Sequence, residues 1–128
     1  MALERRVFVD HMTIRVRDLA ASRAFYEAAL PPVGAVVVDI EGEIAFGPRG
    51  AEDFALAAAD DEYPPSGPLH FAFLAADEEA VRAFHREGLR AGGRDNGPPG
   101  PRSYHTGYYA AYLLDPDGNN VEAVFHGW

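Results

Sequence analysis

An α+β fold made of two βαβββ modules is predicted by three features of this chain: an internal repeat, short segments of alternating apolar residues, and a helical segment placed alike in each copy. The repeat is read from HMTIRVRDLAASRAFYEAAL, which starts at His11, and HFAFLAADEEAVRAFHREGL, which starts at His70. At one constant offset His11 matches His70, Asp18 matches Asp77, Arg23-Ala24-Phe25 matches Arg82-Ala83-Phe84, Leu30 matches Leu89 and Gly34 matches Gly93. So many coincidences at one offset are not expected by chance. The chain therefore divides into module 1 at about 7–59, a polar, proline-containing linker at about 60–68 and module 2 at about 69–126, within a single domain spanning 1–128.

Each module opens with a strand. In VFVDHMTIRV, alternation puts Phe8, Met12, Ile14 and Val16 on one face and Val7, Val9, His11 and Thr13 on the other. In LHFAFLA the division is Leu69, Phe71 and Phe73 against His70, Ala72 and Leu74. Both histidines thus lie opposite the bulky apolar set. A helix follows, with Asp18 or Asp77 as its N-cap, a feature that contributes about 1 kcal/mol. Phe25 with Leu30, and Phe84 with Leu89, are expected to pack these helices on the bulky face. Pro31-Pro32 stops the first helix and Gly92-Gly93 the second. Short strands complete module 1 in VGAVVVDI, GEIAFG and DFALAAA, and module 2 in YYAAYLL and NNVEAVF. The intervening GGRDNGPPGPRSY reads as a long loop over a cavity mouth. Asp115-Pro116-Asp117-Gly118 suits a type I turn between two antiparallel strands, since Asp, Pro and Gly occupy its first, second and fourth positions. On the last strand Val121, Ala123 and Phe125 share one face, and Glu122 and Val124 the other.

Composition narrows the classes of function. A length of 128 residues suffices to bury roughly two thirds of the unfolded surface in one core. With no cysteine there is no disulfide, thiolate metal site or cysteine nucleophile. The apolar runs are short, and no basic segment leads into an apolar one, so a soluble, cytoplasmic protein is expected. Eleven basic residues, all Arg, stand against 20 acidic ones, for a net charge of −9. Nucleic acid and anionic membrane are excluded as main partners, because each demands a basic surface. A cationic ligand or a divalent metal is compatible with that charge.

Glu122 poses the sharpest question. A carboxylate in a strand buried on one face is costly unless something positive compensates it, and no Arg follows Arg102 in the sequence. With helices on the other face, His11, His70 and Glu122 share one side. Two imidazoles and a carboxylate suit a divalent first-row metal at roughly 2.0–2.2 Å each, with positions left open for water or substrate.

These residues carry a family resemblance. The paired modules, the histidines that open them and the ending LDPDGNNVEAV resemble the vicinal oxygen chelate superfamily, which includes glyoxalase I, bleomycin resistance proteins, fosfomycin resistance thiol transferases and extradiol dioxygenases. The resemblance covers essentially the whole chain. It implies mixed sheets curled round a metal or ligand cavity with helices on the outer face, metal ligation by His11, His70 and Glu122, and Fe, Mn, Ni or Zn as the cofactor. It further implies lyase, isomerase or ring-cleavage dioxygenase chemistry on a small molecule that chelates the metal through two adjacent oxygens. The bleomycin resistance branch implies an alternative, a metal-free protein that sequesters a cationic small molecule.

Within the family, glyoxalase I has a fourth ligand on the last strand of its first unit, where this chain has Ala55, with Glu52 and Asp53 displaced toward the preceding turn. His105, Ala111, Tyr112, Asp115-Pro116, Gly118 and Glu122 follow the spacing of the extradiol dioxygenase signature, although Ala111 is small for it and Ser103 replaces its usual opening residue. Tyr112 has the parity of Glu122, which makes it a candidate donor to a substrate oxygen, and His105 is a candidate general acid or base. Tyr108 and Tyr109 supply aromatic surface for substrate, and Arg15, which shares parity with His11, is placed to contact an anionic one. His85 and His126 have no assigned role. One module forms half a cavity, so a homodimer is expected, with each site built in one chain or exchanged between two.

Overall fold

A computed structural model of the chain describes residues 8–128. Module 1 contributes β1 (Met12–Val16), α1 (Leu19–Ala29), β2 (Val36–Ile40), β3 (Glu43–Gly47) and β4 (Phe54–Ala58); module 2 contributes β5 (His70–Leu74), α2 (Glu78–Arg90), β6 (Arg94–Pro101), β7 (Tyr108–Leu114) and β8 (Asn120–His126). The strands form two open four-stranded mixed sheets, ordered β1-β4-β3-β2 and β5-β8-β7-β6. In each sheet the opening strand runs parallel to the closing one, and the other pairs are antiparallel. A parallel pair cannot be closed by a tight turn, and the helix plus two strands between its members make that connection. The fold is thus the expected α+β arrangement of two βαβββ modules. No helix among the described residues is long and apolar enough to cross a membrane.

Local signals set the helix ends. The Asp18 carboxylate accepts from the Ala21 amide at 3.1 Å and that of Asp77 from the Ala80 amide at 2.8 Å, so both predicted caps hold. A short 3-10 turn at Pro31–Val33 ends the first helix, because a proline in the interior of a longer helix would lack its backbone donor. The modules share one core. Phe25 and Tyr26 from α1, Val81 and Phe84 from α2, and Phe54, Leu113 and Val121 from the sheets are fully buried in it.

Three expectations are corrected. Phe8, assigned to the bulky face, is 100% exposed, since β1 starts only at Met12; Val7 lies outside the described residues. Leu89 is 39% exposed, whereas Gly88 is buried. Val81, Phe84 and Gly88 follow helical spacing, and a Cβ at Gly88 would meet the Leu113 side chain at 2.4 Å, so glycine allows α2 to lie close on β7. The segment read as a loop is largely strand β6, paired with β7 through two irregularities in register. Prolines are tolerated there because, among the described residues, β6 pairs with β7 alone, so one side of its backbone needs no partner.

The Asp115–Gly118 turn also locks the modules together. Asp115 Oδ1 accepts from the amides of Asp117 and Asn119, both at 2.9 Å, while its Oδ2 accepts from the Tyr26 hydroxyl at 2.5 Å and from Asn119 Nδ2 at 2.9 Å. Asp117 in turn accepts from the Arg17 amide at 3.0 Å. Burial and the Asp115 carboxylate hold the Tyr26 hydroxyl well above its ordinary pKa, so it remains a donor. Tyr26→Phe leaves ring packing intact and removes one buried bond to a charged acceptor, for an expected loss of about 1–3 kcal/mol. Urea denaturation measures it, and a midpoint equal to that of the wild type would remove the lock from the account.

Candidate functional site

Register decides which side chains meet on the face away from the helices. In the parallel β5–β8 pair, Ala72 stands opposite Glu122 and His70 opposite Asn120, so His70 and Glu122 are diagonal neighbours on one face. In the antiparallel β7–β8 pair, Tyr112 stands opposite Glu122 and Tyr108 opposite His126, which brings both tyrosines to the same face.

Glu122 is 2% exposed. His70 Nε2 lies 3.1 Å from its Oε1, and the Tyr108 hydroxyl donates to its Oε2. Among the described residues no Arg pairs with it. The second nitrogen of His70, Nδ1, is 3.0 Å from the carbonyl oxygen of Asn120. A carbonyl only accepts, so Nδ1 carries a hydrogen, and when the imidazole is neutral Nε2 turns a lone pair toward a carboxylate oxygen. Two acceptors facing each other at this distance repel unless a proton or a cation lies between them. The same pattern, one ring nitrogen donating to a backbone carbonyl and the other presented to an open space beside a carboxylate, is how imidazole metal ligands are oriented. Donors 3.1 Å apart can both reach one divalent ion at the roughly 2.1 Å usual for imidazole and carboxylate. This pair therefore fits part of the expected ligand set.

The tyrosines serve as neutral donors. Burial, reinforced by the Glu122 carboxylate, pushes the Tyr112 hydroxyl up to about 12. Burial and the hydrogen bond to Glu122 raise Tyr108 as well. The Tyr112 ring lies 6.3 Å from that of His70.

The remaining sequence candidates are placed elsewhere. His11 lies one residue before β1, largely exposed, with Nδ1 2.7 Å from Asp10 Oδ1; within the described residues of one chain no group of three His, Asp or Glu side chains is arranged to hold a metal. Ala55, opposite Thr13, occupies in the first sheet the place that Glu122 holds in the second, which agrees with the absence of a fourth ligand there. Arg15 donates to the Ala58 carbonyl at 3.2 Å and stacks on Tyr63 at 4.3 Å, against the linker. Tyr109 alternates to the helix face, where its hydroxyl accepts from Arg82 at 3.2 Å. His105 holds the Thr106 carbonyl at 2.8 Å and His126 at 2.9 Å, and its ring lies 5.2 Å from Tyr108, so it borders the site without touching Glu122.

Two features escaped the sequence reading. The contact of Tyr108 with Glu122 was legible in parity, since Tyr108 and Tyr112 are four residues apart on one strand. Arg102 had no such signal: its guanidinium stacks over the Tyr112 ring at 5.2 Å only because the chain turns back after β6. Two clefts between the modules, of about 300 and 390 Å³, are lined by residues such as Phe54, Phe73 and Leu74 and include none of these site residues.

A model of the Glyoxalase/Bleomycin resistance protein/Dioxygenase superfamily matches residues 8–123. A glyoxalase/bleomycin resistance protein from Albidiferax ferrireducens T118 is 31% identical, with a TM-score of 0.77 over 91% of this chain and 96% of that one. A glyoxalase-related enzyme from Fulvimarina pelagi, 21% identical, has a TM-score of 0.68 over 91% of this chain and 86% of its own. A lactoylglutathione lyase from Agrobacterium tumefaciens, 22% identical, has a TM-score of 0.64 over 94% and 95%. At that identity the last two share the fold alone. No curated protein matches the chain.

Proposed function

The chain belongs to the Glyoxalase/Bleomycin resistance protein/Dioxygenase superfamily, and from that premise we propose that it is a divalent-metal-dependent enzyme acting on a small molecule with two adjacent oxygens. The observation that carries this reading is the buried Glu122 carboxylate, whose Oε1 lies 3.1 Å from His70 Nε2 in a place where, among the described residues, no Arg compensates it. His70 and Glu122 of one chain, together with His11, would hold Fe, Mn, Ni or Zn. When bound, the metal supplies Lewis-acid polarisation of the chelated oxygens, and as Fe(II) it also supports oxygen chemistry.

The chain's own residues do the rest. Tyr108 fixes Glu122 through Oε2, and Oε1 faces His70 Nε2. Tyr112, protonated at neutral pH, donates a hydrogen bond to a substrate oxygen as negative charge develops there. His105 with His126 forms an imidazole pair at the rim, placed to accept or return a proton. Lyase, isomerase and ring-cleavage reactions all begin from this arrangement.

The same reading includes a homodimer. Among the described residues His11 forms no three-residue group with the pair it should complete, His70 is 52% exposed in its side chain, and β1 and β5 each have one strand neighbour. A second copy placing its His11 beside His70 and Glu122 would complete the set and cover exposed strand edges.

The competing reading is a metal-free protein that sequesters a cationic small molecule, favoured by the charge of −9 and by the exposed aromatics Tyr104 and Trp128. Purification without chelator followed by elemental analysis separates the two. One divalent ion per chain is expected, removable by chelator and restored by Fe(II), Mn(II), Ni(II) or Zn(II). Protein that holds none, and takes up none of the four, belongs to the sequestering class.

A further inference from the structure

On the site face of the second sheet, one row of side chains crosses all four strands: His70 on β5, Glu122 on β8, Tyr112 on β7 and the Arg102 guanidinium folded back over β6. We propose that Arg102 is a subsite for an anionic group, so that the substrate carries a carboxylate or similar anion at the end opposite its two adjacent oxygens. This rests on the metal-dependent reading above and names the substrate class for it.

Arg102 is held where such a subsite needs it. Its Nη1 donates to the carbonyls of Gly100 at 2.9 Å and Pro101 at 3.2 Å, and its Nη2 to that of Pro98 at 2.7 Å. Three of its five N–H donors are thereby used and two remain. All three acceptors are neutral, and among the described residues no carboxylate pairs with this guanidinium. Gly97 makes room for the stack. A Cβ there would stand 2.9 Å from Tyr112 Cδ2 and 3.3 Å from Arg102 Nη2. The half-buried cation is therefore seated by its own strand and left without a counter-charge.

Reach sets the substrate's size. Neighbouring strands lie about 4.8 Å apart, so the guanidinium is roughly 10 Å along the row from the strand that carries Glu122, with the Tyr112 hydroxyl between the two ends. A compact molecule such as a substituted benzene ring spans that gap. The net charge of −9 argues for a cationic ligand only at long range, since exposed charges are screened beyond about 8 Å at physiological salt and the nearest cation on this row is Arg102.

Calorimetric titration with three probes tests the subsite: catechol, which has the adjacent oxygens alone; 3,4-dihydroxybenzoate, which adds the carboxylate; and 4-hydroxybenzoate, which has a carboxylate but no adjacent oxygens. Metal-loaded wild type should bind 3,4-dihydroxybenzoate about 10-fold more tightly than catechol, the effect of one charge-assisted hydrogen bond. Arg102→Gln should abolish that preference, the loss falling on the carboxylate-bearing probe, and Arg102→Lys should retain part of it. If Arg102 only clasped β6, both probes would weaken together in either variant. A wild type without preference, or a preference that survives Arg102→Gln, overturns the proposal. Should the protein bind neither metal nor catechol, the metal-dependent reading fails instead, and 4-hydroxybenzoate then decides alone: binding to wild type that Arg102→Gln eliminates upholds the anion subsite, and no binding to wild type removes it.

Discussion

Glu122→Gln is expected to abolish stoichiometric metal binding while leaving the fold intact. Loss of an outer partner of a metal ligand already costs roughly 10–100-fold in affinity, and this substitution removes a ligand's charge itself. Its effect on the metal-free protein separates the two roles open to Glu122. The glutamine side chain keeps the shape and an oxygen for the Tyr108 hydroxyl, and it places an amide donor where a carboxylate oxygen faced His70 Nε2. With neutral His70, a repulsive pair of acceptors becomes a hydrogen bond, so the variant should be as stable as the metal-free wild type or more so. If the pair instead exists for stability, as a buried carboxylate held by protonated His70, the same substitution breaks it, a loss of about 3–5 kcal/mol when both partners are buried and less for a half-exposed imidazole. Elemental analysis and urea denaturation are read together. Metal content unchanged from wild type would sink the ligand assignment.

The second large effect concerns which chain supplies His11. His11→Ala and Glu122→Gln subunits, each deficient in metal binding when alone, are unfolded together and refolded. If sites are shared between chains, half of the randomly formed dimers are mixed, and in each of these one site carries both lesions and the other neither. About a quarter of the wild-type complement of tight metal sites should therefore return. The proposed reading expects this outcome, since His70 and Glu122 meet within one chain while His11 joins no three-residue group with them among the described residues. Recovery of no tight sites would mean that each site is completed within its own chain, through a rearrangement of module 1 against module 2.

Much of the fold was legible because its signals are local. A repeated His, Asp, Arg-Ala-Phe pattern fixes two modules, and an Asp before a helical segment caps it whatever surrounds it. The period of two in a strand has the same local origin. It assigned Glu122 and Tyr112 to one face and Val121 and Ala123 to the other, and the register confirms both. Parity also distinguished Tyr108 from Tyr109, although the sequence reading grouped them as neighbours.

Elsewhere the local signal misled because a neighbour decided. Pro and Gly made 94–101 read as loop, yet an edge strand with one partner accommodates them. Leu89 is the more apolar residue, yet Gly88 is the one buried, because the distance between α2 and β7 selects for a missing side chain.

By itself, then, the sequence determined the two modules, their helix caps and the face on which His70, Tyr112 and Glu122 lie, all properties of backbone geometry within a few residues. Only the tertiary structure decided that His70 presents Nε2 to Glu122, that Arg102 folds back over Tyr112, and that among the described residues His11 joins no three-residue group with His70 and Glu122. Those relations depend on how separate strands and the two modules are set against each other, a matter of register and packing between distant parts of the chain that no local pattern encodes.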